Sequence, residues 1–147
     1  MLAERVIGHA RDDDAGVDWV EIDPIQTTRR ALRLVSRAGR KVNLLLPRNT
    51  TLRHGDLIST DPRIAIFVRL IDVLVLSPAD IEQASRLAAE LGNLHVLLEF
   101  AADSILTPDD GPSRQIADEL GVRYTIEKRR LHPDPRTSRM TNWNVRA

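Results

Sequence analysis

Four histidines, His9, His54, His95 and His132, stand in a chain of 147 residues that contains no cysteine. The missing thiols remove disulfides, thiolate catalysis and every Cys-ligated zinc or iron–sulfur site. A metal ion would therefore be held by imidazole, carboxylate or backbone oxygen. No HxH, HxxxH or HExxH spacing is present. His9 sits beside Gly8 ahead of the acidic run Asp12-Asp13-Asp14, His54 precedes Gly55-Asp56 in a turn, and His132 precedes Pro133 in a polar stretch. All three read as surface residues. His95 differs, because the pattern places it at the start of a strand directly after a helix end, where the backbone fixes its position. A lone histidine there serves either as a hydrogen-bonded structural residue or as a ligand. Nucleophile chemistry has no motif: there is no GxSxG, and the seven glycines form neither a GxGxxG nor a phosphate loop. The acid pairs Asp109-Asp110 and Asp118-Glu119 read as helix-start charge and solvated surface. The chain is not expected to be an enzyme.

The elements that position these residues follow from the hydrophobic pattern. Residues 1–70 read as all-β. Val17–Ile22 is a short strand between the acidic turn and Pro24. Arg29–Ser36 alternates, with Leu32 and Leu34 on one face, and after Ala38-Gly39 the apolar Lys41–Leu46 completes a hairpin. Leu57–Ser59 lies between turns. Ile64–Ile71 and Val73–Leu76 are nearly continuous runs, as in strands buried on both faces. Short strands so closely spaced predict a small barrel or sandwich.

At Ser77 the period changes. Ser77-Pro78-Ala79-Asp80 reads as a helix start with Ser77 as N-cap, and Ile81, Ala84, Ala88 and Leu91 form one apolar stripe ending at Gly92-Asn93. Leu94–Phe100 follows as a strand, with His95, Leu97 and Glu99 on one face and Val96, Leu98 and Phe100 on the other. The pattern then recurs: Thr107-Pro108-Asp109-Asp110 echoes the first helix start, and Ala117-Asp118-Glu119-Leu120-Gly121 echoes Ala88-Ala89-Glu90-Leu91-Gly92. A last strand, Val122–Glu127, completes the order strand, helix, strand, strand, helix, strand of a split βαβ motif. The fold class is α+β: a small all-β N-terminal domain (1–70), a ferredoxin-like βαββαβ domain (71–130) and a flexible basic tail (131–147).

Charge divides along the same lines. Residues 1–70 carry 12 basic and 9 acidic side chains, residues 71–126 carry 3 and 10, and residues 127–147 carry 6 and 2. The formal net charge is zero and only five aromatics are present, Trp19, Phe67, Phe100, Tyr124 and Trp143. A ferredoxin-like RNA binder would need a basic sheet with an aromatic ladder, so no nucleic-acid partner is expected. No apolar run approaches a membrane span and no secretory leader is visible, so no membrane partner and a cytoplasmic location are expected.

Several segments, taken in order, match a family. Glu4-Arg5-Val6-Ile7-Gly8-His9 is followed by Arg29-Arg30-Ala31-Leu32-Arg33, Leu46-Pro47-Arg48, Leu52-Arg53-His54-Gly55-Asp56 and Leu91-Gly92-Asn93-Leu94-His95. This succession, from about residue 2 to about 134, resembles the UreE family, urease accessory proteins that act as nickel metallochaperones. The resemblance implies a peptide- or partner-binding β domain and a metal-binding ferredoxin-like domain. It also implies a homodimer in which two copies of one histidine share a nickel ion at the two-fold axis, and that role falls on His95. Ni(II) is then a transported cargo, with Zn(II) or Cu(II) as substitutes in vitro, and the implied partners are the urease accessory GTPase and the urease apoprotein complex. A second reading keeps the scaffold and its partners without a metal role. The sequence departs from the family at Leu94, where an arginine is common. It departs again at Leu131-His132-Pro133-Asp134, which stands for Phe-x-Pro-Glu, and in a tail bearing Arg136, Arg139 and Arg146 instead of a histidine run. Ala102–Thr107 also lacks the histidines some members carry there. One interfacial site, completed by His132 or tail groups, is therefore expected rather than several storage sites.

Overall fold

The computed structural model describes residues 1–137, and the chain divides into two compact units, Met1–Arg69 and Leu70 onward. The first unit is all-β, as its short alternating runs predict. Its strands are β1 (Leu2–Ala3), β2 (Gly8–His9), β3 (Asp18–Ile22), β4 (Ala31–Val35), β5 (Lys41–Leu45), β6 (Asp56–Thr60) and β7 (Arg63–Val68). They form a three-stranded sheet in the order β1-β5-β4 and a four-stranded sheet in the order β2-β6-β7-β3. The predicted hairpin is β4 against β5, in register from Ala31↔Leu45 to Val35↔Lys41. Gly39, at φ +87°, supplies its left-handed turn position. Leu32, Val42 and Leu44 of one sheet and Val20, Ile22, Ile64, Ile66 and Val68 of the other meet in a single core. Each such side chain contributes about 2 kcal/mol by leaving water.

Asp18 ties the hairpin turn to β3. Its carboxylate accepts from the Ala38 N–H at 3.0 Å and from Arg40 at 2.8 Å. Burial alone would push this carboxyl up, but hydrogen bonds from Ser36, Arg40 and Ala38 outweigh it and hold the pKa below the ordinary value. A folded pKa below the unfolded one gives stability that is complete above the unfolded pKa and disappears as pH falls through the folded one. Asp18→Asn should thus cost about 2 kcal/mol at neutral pH and flatten the acid side of the stability profile, read from urea midpoints between pH 2 and 7. An unchanged acid limb would exclude Asp18 as the source.

The second unit runs β8 (Ile71–Ser77), α1 (Ile81–Asn93), β9 (Glu99–Phe100), β10 (Ile105–Pro108), α2 (Gly111–Leu120) and β11 (Arg123–Arg129). Its sheet order is β11-β8-β10-β9, all neighbours antiparallel. Leu74, Leu76, Leu98 and Ile105 pack with Leu87 and Leu91 of α1 and Ala117 of α2 on one face of the sheet. The expected element order is therefore present, with several local differences.

Both helices start at the last residue of the repeated tetrapeptide. Asp80, rather than Ser77, caps α1 by accepting from the Gln83 N–H at 2.8 Å, and Asp110 caps α2 by accepting from the Ser113 N–H at 2.7 Å. Ser77 and Pro108 are instead the final residues of β8 and β10. An aspartate acceptor three residues before a free helical N–H satisfies the same need as the serine, one turn later. The buried stripe of α1 is also turned: Leu87 and Leu91 are fully buried with Ala88 packed beside them, while Ile81 is 84% exposed. Ile81 lines an open cleft of 480 Å³ shared with Phe100 and Ala84.

The strand expected over Leu94–Phe100 shrinks to two residues, Glu99 and Phe100. Its side chains still alternate, Val96 and Leu98 toward the helices and Leu97 toward the opposite face. The ladder is lost because other groups take the backbone. Thr107 Oγ1 donates to the Leu97 carbonyl at 2.8 Å, and residues beyond Leu131 bind Leu98. The start of the predicted flexible tail is for that reason not free. Leu131 is fully buried against Val73 and Leu106 on the sheet face away from the helices. Residues 138–147 of that tail, with Arg139, Trp143 and Arg146, lie outside the described residues.

Candidate metal-binding site at His95

His95 is placed by the end of α1. Gly92 and Asn93 remain helical, Leu94 is the C-cap with αR geometry, and the left-handed residue after it is His95, at φ +58°. The His95 N–H donates to the Gly92 carbonyl at 3.1 Å, and the Leu94 N–H reaches the Leu91 carbonyl at 3.1 Å. That position, one past the C-cap, usually belongs to glycine, since a β-carbon is disfavoured there. Here the left-handed turn carries an imidazole, half-buried, beside the exposed Leu94. The sequence pattern placed the turn two residues earlier, on Gly92-Asn93. Among the described residues no three His, Asp or Glu side chains gather into a metal cage. One chain offers one imidazole at this turn.

The other histidines are positioned by other elements. His132 is half-buried, with its main-chain N–H donating to Glu99 Oε1 at 2.7 Å. His9 is exposed and rests on Gly55, where a β-carbon would come within 2.4 Å of its ring. His54 departs from the surface residue expected, its side chain being only 16% exposed. Its ring stacks on Trp19 at 5.7 Å and meets Phe67 edge-on at 5.0 Å. Nδ1 accepts the Val68 N–H at 3.2 Å, so the ring proton lies on Nε2, which bonds Asp12 Oδ1 at 2.5 Å. Both nitrogens are thus engaged in holding the N-terminal unit together. The Arg-rich hairpin is divided as well. Arg37 bonds Glu21 at 2.6 Å and lies over the Phe67 ring at 4.7 Å, while Arg33 stands on the exposed face of β4.

The chain thus joins a two-sheet β unit to a ferredoxin-like unit in which the imidazole of His95 stands just beyond a helix C-terminus. Comparison with known proteins gives the family. Residues 3–70 match the family described as "UreE urease accessory protein, N-terminal domain". The chain is 30% identical over 137 residues to the urease accessory protein UreE of Lysinibacillus sphaericus, covering 89% of this chain and 93% of that one. It is 28% identical over 127 residues to the UreE of Acetivibrio thermocellus, covering 83% of each. It is 26% identical over 136 residues to the UreE of Geobacillus kaustophilus, covering 89% of this chain and 92% of that one. The chain belongs to the UreE family of urease accessory proteins. No helix among the described residues is long and apolar enough to cross a membrane.

Proposed function

We propose that this chain is a cytoplasmic nickel metallochaperone for urease maturation, binding Ni(II) at a homodimer interface through His95 of each copy. The observation that supports this most is the left-handed backbone at His95, where the chain keeps an imidazole against the local preference for glycine. One imidazole per chain makes a site only when a two-fold axis brings in a second, and the open positions left on the metal let it be captured and released. Residues 1–70 would serve as the peptide- or partner-binding domain, 71–130 as the metal-binding domain. Transfer would run through the urease accessory GTPase to the apoprotein complex. Zn(II) and Cu(II) would compete in vitro, since ligand type alone favours copper.

Titration of the full chain with Ni(II), combined with size-exclusion chromatography, tests this. The expected stoichiometry is one tightly held ion for every two chains, on a dimer. Undiminished binding in His95→Ala would overturn the reading. A scaffold role without metal has its own supporting observation: the outer face of the β1-β5-β4 sheet exposes Leu2 (59%), Val35 (63%) and Leu45 (49%) around Arg33. That reading predicts GTPase binding that survives both chelator and His95→Ala.

A further inference from the structure

We infer that residues 131–137 act as a strap that positions His95, so that the chain beyond the last strand sets the affinity of the metal site; this rests on the nickel reading above. The segment from His95 to Leu98 is held at three places. One is the end of α1, where the His95 N–H is bonded to the Gly92 carbonyl. A second is Leu97, whose carbonyl accepts from Thr107 Oγ1 at 2.8 Å. The third is the strap, and it takes both main-chain groups of Leu98. The Asp134 N–H donates to the Leu98 carbonyl at 2.6 Å, and the Leu98 N–H donates to Thr137 Oγ1 at 3.2 Å. Thr137 is itself fixed, its hydroxyl donating to the Asp134 carbonyl at 2.8 Å. A third tie joins the His132 N–H to Glu99 Oε1 at 2.7 Å. Leu131, fully buried against Val73 and Leu106, seats the near end of the strap on the sheet.

A regular strand over residues 94–98 would hold His95 through a neighbouring ladder. No such ladder forms, and the strap replaces it with contacts from a segment separated by more than thirty residues in sequence. Only Val96 and Leu97 separate His95 from the doubly bound Leu98. Loosening that bond widens the range of positions the imidazole samples, which weakens a site whose geometry depends on two imidazoles meeting. Thr137 is a positioning residue in this scheme and touches no metal.

The test uses the full chain, Ni(II) as the probe, and the variants Thr137→Val, Thr137→Ser and His95→Ala. Thr137→Val keeps the shape of the side chain and removes the acceptor of the Leu98 N–H. It should speed hydrogen exchange at the Leu98 amide and weaken Ni(II) binding about tenfold, the scale of groups that orient metal ligands. Thr137→Ser, which keeps the hydroxyl, should restore both. If wild type binds Ni(II) through His95 and Thr137→Val binds equally well, the strap inference is overturned while the nickel reading stands. Unchanged exchange at Leu98 overturns it as well. If wild type binds no better than His95→Ala, the nickel reading fails, and the positioning role fails with it.

Discussion

A chain carrying His95→Ala should lose tight Ni(II) binding, and one carrying His95→Gly should lose it equally while melting later than the alanine variant. Both substitutions remove the imidazole. They differ in the backbone, because His95 sits at φ +58° in the position after the α1 C-cap. Any residue with a β-carbon is penalised there by about 1 kcal/mol relative to glycine. Alanine keeps that penalty and glycine removes it. Glycine's greater freedom in the unfolded chain offsets part of the gain, so the expected difference is on the order of 0.5–1 kcal/mol in favour of glycine. The paired measurement, calorimetric titration and thermal unfolding on the same samples, separates function from strain. A glycine variant less stable than the alanine one would show that the turn carries no penalty. Protons and metal compete for the same lone pair, so wild-type affinity should also weaken on acidification.

His54→Ala should destabilise the N-terminal unit by about 3 kcal/mol, a large effect for one partly polar residue. The substitution removes the acceptor for the N–H of the fully buried Val68 and leaves space beside Trp19 and Phe67. An unmet buried donor costs about 1–3 kcal/mol and a lost aromatic pair roughly 1 kcal/mol more. His54→Gln, which can present an oxygen toward Val68, should recover part of the loss. Denaturant midpoints followed by circular dichroism provide the readout. A change below about 0.5 kcal/mol, as for an ordinary surface substitution, would contradict the arrangement.

These two histidines also mark what could be read from the sequence and what could not. His95 stands out in the sequence because a helix pattern and a strand pattern meet there; the helix end persists at Asn93, whereas the strand begins only at Glu99. The left-handed turn at His95 is hidden in the sequence, since glycine and asparagine stand three and two residues earlier and offer the usual chemistry. His54 read as a turn residue because its partners, Asp12, Trp19 and Val68, are distant in sequence and assembled only by strand pairing. The repeated helix starts were visible as a repeat, but two acceptors, Ser77 and Asp80, competed for the cap of α1. The strap is illegible in the sequence for a different reason. Polar and prolyl residues surround Leu131, and one buried leucine leaves no periodic trace, although an isolated apolar residue in such a stretch is the signal that could have exposed it.

The pairing of the first unit bears on the order in which the chain can fold. Its two parallel pairs bring Leu2 beside Asn43 and Asp18 beside Ile64. Neither can form until a long intervening stretch has been made and closed into a loop, which is slow relative to local hairpins. During synthesis β1 must therefore wait for β5, and β3 must wait, apolar face open, until β7 has left the ribosome. In the second unit β8 and β11 wait for each other too, but two capped helices between them can form locally. The N-terminal unit is made first, and by its topology its early strands stay open to misassociation until its later strands arrive.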